Sequence, residues 1–97
     1  MISPVNGFGQ PGPPDAGSVA IENARFPADA YRVPYAAEPI AVEVRVLWKR
    51  ASVPAQEEWI PAVAARWTST HVCVHVTDPR AYRPEFWVVP SDVRRRT

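Results

Sequence analysis

The clearest periodicity in the chain is IAVEVRVLWKR, residues 40–50. Ile40, Val42, Val44, Val46 and Trp48 alternate with Ala41, Glu43, Arg45, Leu47 and Lys49. A period of two carried by β-branched residues predicts a half-buried strand with Val42, Val44 and Val46 on its core face. TSTHVCVHVTD, residues 68–78, alternates in the same way. Val72, Val74 and Val76 are expected to face inward, and His71, Cys73, His75 and Thr77 outward. FWVV, residues 86–89, predicts another strand. PSDVRRR then opens on a turn at 90–92 and places Val93 as a last core contact.

WIPAVAARW, residues 59–67, fits two periods. As a strand, Trp59, Pro61, Val63, Ala65 and Trp67 share a face; as a short helix opened by Pro61, Ile60, Val63, Ala64 and Trp67 do. The helix would be short and would lack a polar N-cap, which favours the strand, with Pro61 marking an edge or a bulge. Thr68-Ser69 is short enough to close a hairpin with the strand that follows. ASVPAQEE and DPRAYRPE read as loops. Four strands and a short fifth within residues 40–97 predict a small all-β barrel.

Upstream of residue 40 the pattern changes. All four glycines and seven of the twelve prolines lie there. Residues 1–19 hold too little apolar surface to offset their ordering entropy, and a disordered arm is expected. Phe26, Tyr31 and Tyr35 sit among Pro27, Pro34 and Pro39. That spacing predicts an extended, partly ordered stretch near 21–37, its aromatics packed on the domain or on a partner. The chain is thus divided into an arm, 1–39, and a barrel with a basic tail, 40–97.

Val42-Glu43-Val44, Trp59-Ile60-Pro61-Ala62-Val63, Val72-Cys73-Val74, Trp87-Val88 and Asp92-Val93-Arg94 occur in that order. The series resembles the Tudor and Agenet group of SH3-like barrels over residues 40–95. The resemblance implies a five-stranded SH3-like barrel and an aromatic cage at one rim that holds a methylated side chain by cation–π contact. Trp59 matches the aromatic that opens the second strand. Tyr82 and Asp78 fall in the loop that often supplies the other cage members, although the usual Asp-Gly turn is absent.

Candidate chemistry is sparse. His71, Cys73 and His75 would span roughly 13 Å along one strand face, too far for one ion held at about 2.0–2.3 Å. With one cysteine and two histidines in the chain, a structural Cys/His zinc site has too few ligands, and no metal or cofactor is expected. A mid-strand Cys73 lacks the electropositive, accessible setting of a reactive thiol. Glu57 and Glu58 point oppositely in an extended chain, and residues 40–97 contain no glycine for a phosphate loop. A catalytic role is therefore not expected.

The formal net charge of +1 combines −2 over residues 1–39 with +3 over 40–97, where Arg94, Arg95 and Arg96 form a short basic tail. Ten arginines to one lysine, with abundant alanine, valine and proline, fit high-GC coding, as in an actinobacterium or its phage. The lone cysteine excludes an internal disulfide. No signal peptide is read at the start, and no uncharged apolar run approaches the roughly 20 residues of a membrane helix, so a soluble cytoplasmic protein is expected. Four tryptophans exceed what so small a core holds. With Arg45, Arg66, Arg80 and Arg83 among them, they predict an aromatic–basic surface.

The leading expectation is a non-catalytic module that binds a protein or peptide through Trp48, Trp59, Tyr82 and Trp87. A nucleic-acid-binding accessory protein using those aromatics and Arg94, Arg95 and Arg96 is the alternative. A structural subunit docking through its N-terminal arm is the third. QPGPP, residues 10–14, has no nearby basic residue and reads as a linker rather than a polyproline ligand.

Overall fold

The computed structural model describes residues 19–96. These form an all-β unit of six strands: β1 (Ala20–Ile21), β2 (Ile40–Lys49), β3 (Gln56–Trp67), β4 (Val72–His75), β5 (Glu85–Val88) and β6 (Val93–Arg95). Short 3-10 turns occupy Ala30–Arg32 and Pro90–Asp92. β2 through β5 make an antiparallel meander, and β1 and β6 both pair with the remaining edge of β2. The sheet curls into a half-barrel. A single bridge between Arg25 and Trp87 brings the segment after β1 against β5.

The alternation in β2 sets the core. Val42, Val44, Val46 and Trp48 are buried, and so are Ile60, Ala62 and Ala64 of β3, Val74, Val76, Phe86 and Val88. Val72 and Val93 are partly buried against them. Each fully buried valine contributes about 1.5–3 kcal/mol relative to exposure. Residues 59–67 are strand throughout, as the two-residue period favoured.

Pro61 lies mid-strand without cost. The bond from Arg96 N–H to Ala41 C=O fixes the alternation along β2, so the Glu43–Pro61 pair is non-hydrogen-bonded and the proline nitrogen points away from β2. On that side β4 has not yet begun, because its pairing with β3 starts at Val63. Pro61 therefore sits at a local edge. The irregularity of β3 lies further on, between Ala64 and Arg66, where Ala65 has no partner of its own. The bulge turns Arg66 onto the outer face opposite Cys73 and moves Trp67 off the face it would share with Val63.

The expected five strands correspond to β2 through β6; β1 is the sixth. Its two residues are too few to show a period. Val19, expected to belong to a disordered stretch, is 6% exposed within the core. Residues 1–18, including QPGPP, lie outside the described residues.

Between β1 and β6 the edge of β2 would be unpaired at 45–47. The buried Asn23 fills the gap. Its Nδ2 donates to Arg45 C=O at 2.8 Å and its Oδ1 accepts from Leu47 N–H at 3.0 Å. Asn23 Nδ2 also donates to Asp92 Oδ2 at 3.0 Å, and Asp92 Oδ1 accepts from Arg45 Nη1 at 3.1 Å. One amide thus joins β2, the segment after β1 and the turn before β6, and satisfies groups whose burial unpaired would be costly.

Candidate functional site

The outer face of β3, β4 and β5 carries Arg66, Cys73 and Trp87 in line across the register. Residues 30–36 lie over it as a strap. Arg66 Nη1 donates to Val33 C=O at 3.0 Å and Ala30 C=O at 3.4 Å, and the guanidinium stacks on Tyr35 at 4.4 Å and Trp87 at 5.4 Å. Ala36 N–H donates to the carbonyl of the bulged Ala65 at 2.8 Å. Tyr35 Oη donates to Glu85 Oε1 at 2.8 Å, and Arg66 pairs with the same carboxylate at 3.7 Å.

Cys73 is completely buried beneath this cover. Burial pushes its thiol above the ordinary range, partly offset by Arg66. Arg66 Nε is itself buried without a hydrogen-bond partner. Burial disfavours the charge on Arg66, and Cys73, Tyr35 and Glu85 together outweigh that penalty. His71 lies outside β4 in the Thr68–His71 turn, its Nδ1 2.9 Å from Thr70 Oγ1, and His75 is exposed at the end of the strand. Thr68 Oγ1 closes that turn by accepting from Thr70 N–H at 3.1 Å and His71 N–H at 3.0 Å, in place of glycine or asparagine. Among the described residues, no three His, Cys, Asp or Glu side chains come together as a metal ion needs.

The aromatic and basic candidates are mostly spent on one another. Trp48 is 5% exposed, its Nε1 donates to Glu58 Oε1 at 3.0 Å, and Arg80 lies over its ring at 4.2 Å. Arg80 also pairs with Asp78 at 2.7 Å and Glu58 at 2.9 Å, and it holds the Asp78 carboxyl below the usual range. Arg94 covers Trp59 at 4.1 Å and pairs with Glu43 at 2.8 Å. Arg96 Nη2 donates to Ala62 C=O at 3.0 Å, whereas Arg95 is exposed on β6. Trp59 is half-buried under Arg94 and Asp78 is committed to Arg80, so neither is free to line a cage with the exposed Tyr82.

Two predicted residues do converge. Tyr82 and Trp87 line a groove of about 320 Å³ with Ile21, Ala24, Phe26 and Phe86, and Arg25, Arg83 and Glu85 sit among them. It occupies the seam where the segment after β1 meets β5. Phe26 is 85% exposed and Tyr82 46%. The wall supplied by residues 20–26 has no local signature, because nothing in Ala20-Ile21 or Phe26-Pro27 announces pairing with strands far along the chain. The regular spacing of aromatics and prolines was the available signal.

No family model matches the chain, no curated protein matches it, and no solved structure does. Among the described residues no helix is long and apolar enough to cross a membrane.

Proposed function

We propose that this chain is a non-catalytic, cytoplasmic interaction module that docks a peptide segment of a protein partner in the groove between residues 20–26 and β5. The observation that carries the reading is an apolar groove flanked by two exposed aromatics, Phe26 and Tyr82. Trp87, at its back, contributes packing and little exposed area. The SH3-like reading of the fold is part of the same proposal. It is supported by the meander β2–β5, the 3-10 turn at 90–92 and the return of β6 to β2.

The tryptophans and tail arginines expected to take nucleic acid are largely engaged within the chain. Base stacking needs open aromatic faces and backbone contact needs available cations. Trp48, Trp59 and Trp87 already carry a guanidinium, and Arg94 and Arg96 are engaged within the chain.

Selection of a random displayed-peptide library on the whole chain, followed by amide NMR mapping, tests the reading. The selected peptides should shift Tyr82, Phe86 and Trp87, and Phe26→Ala and Tyr82→Ala should each weaken them about tenfold, a loss of ~1.4 kcal/mol. Failure to select groove-binding peptides, together with oligonucleotide binding that falls steeply with salt, would replace this reading with the nucleic-acid one.

A further inference from the structure

The groove contains an open backbone edge. The bond from Val76 N–H to Pro84 C=O, 2.8 Å, fixes the alternation along β5. The backbone groups of Pro84, Phe86 and Val88 face β4, and those of Glu85 and Trp87 face the seam. Trp87 C=O accepts from Arg25 N–H at 2.7 Å. The bridge is isolated: continuing its register would require Pro27 opposite Glu85, and the ladder stops before that pair. Pro27 has no N–H to give. Its C=O is taken by Ala30 N–H at 3.2 Å, which turns the chain away from the sheet. The N–H and C=O of Glu85 are left facing the groove with no strand beside them, which makes them a template for pairing.

Charge narrows the class of occupant. Arg25 and Arg83 line the groove, and both are exposed. The one carboxylate there, Glu85, is drawn to the strap by Tyr35 and Arg66. The groove therefore offers two guanidinium groups, an apolar floor of Ile21, Ala24 and Phe86, and one open peptide unit. A second copy of this chain fits less well, because a twofold contact would set the same arginines against each other.

We infer that the seam takes an extended acidic–apolar peptide by strand addition. The peptide backbone pairs with Glu85, an apolar side chain enters between Phe26 and Tyr82, and a carboxylate meets Arg25 and Arg83. This rests on the peptide-docking reading above and adds the mode of recognition and the chemistry of the partner.

The test uses the peptides obtained by selection on the whole chain, synthesised with and without single backbone N-methyl groups. Their consensus should place Asp or Glu beside an apolar residue. N-methylation at one position should weaken binding roughly tenfold, the loss of about one hydrogen bond with its desolvation. Saturation should slow exchange of the Glu85 amide about tenfold or more. Arg83→Glu should shift the selected consensus toward Lys and Arg. Groove binding that is indifferent to N-methylation and leaves Glu85 exchange unchanged overturns strand addition and leaves the docking module standing. Peptides that never map to the groove overturn both. A dimer in sedimentation whose Glu85 amide is protected without peptide assigns the edge to a second copy and overturns the inference as well.

Discussion

Residues 30–36 and residues 24–27 belong to one continuous segment, and both meet β5, with opposite results. The first stretch covers its face: Tyr35 reaches Glu85, and Arg66 stacks between Tyr35 and Trp87. The second pairs with its edge once, at Arg25–Trp87, and then leaves. The difference comes from one residue type. Val33 and Ala30 offer carbonyls that a long guanidinium reaches, whereas Pro27 has no N–H with which to continue the pairing begun at Arg25. The outer face is closed because side chains complete it, and the seam is open because a backbone group is missing.

Asn23 holds the segment that makes both regions, so its loss has the largest expected effect. Asn23→Ala removes three hydrogen bonds and leaves Arg45 C=O, Leu47 N–H and Asp92 short of partners. Urea unfolding should show a loss of about 3 kcal/mol. A loss below about 1 kcal/mol would mean that water replaces the amide and that the segment is held elsewhere.

Arg66→Ala separates the two regions. It removes the strap's bonds to Arg66, keeping Ala36–Ala65 and Tyr35–Glu85, and leaves Arg25–Trp87 in place. The expected destabilisation is about 2 kcal/mol, from lost packing and hydrogen bonds. The buried Cys73 thiol should react slowly in the native chain and become rapidly labelled by an aromatic disulfide reagent in the variant. An unchanged labelling rate would show that burial by the sheet alone protects it.

A smaller effect comes from pH. The Cys73 thiol is pushed up by burial, so the folded chain keeps its proton where the unfolded chain loses it. Stability should therefore fall as pH rises through the ordinary thiol range, near ~8.5, and above it. Tyr35, raised chiefly by its bond to Glu85, acts in the same direction at higher pH. Cys73→Ala should flatten the thiol part of this slope, measured as urea midpoints between about pH 7.5 and 9.5; an identical slope in the variant would contradict the assignment.

Much of the sheet was legible because its residues alternate. Val42, Val44 and Val46 face the core, and Val74 of β4 and Val76 just after it do the same. HVCVHV did mark a strand, and its outer face is covered at Cys73 by the chain's own strap. What local pattern could not give was pairing across distance. β1 has two residues and no period. The bulge at Ala65 moved Trp67 to the other face, because a single extra residue reverses every later side chain. The site was half legible. Tyr82 and Trp87 line one groove, whereas Trp48 and Trp59 lie under Arg80 and Arg94, residues far along the chain that only the fold brings to them. Phe26 carried the right composition for a surface contact but no sign of which strand it would flank.

The central claim is that β5 is closed on its face and open on its edge at Glu85. Native-state amide hydrogen exchange of the free chain reads this directly. Phe86, whose N–H points to β4, should exchange slowly, and Glu85, the preceding residue, on the open edge, should exchange at least about tenfold faster under the same conditions. Protection of Glu85 equal to that of Phe86 would contradict the account, since it would mean that the seam is already filled.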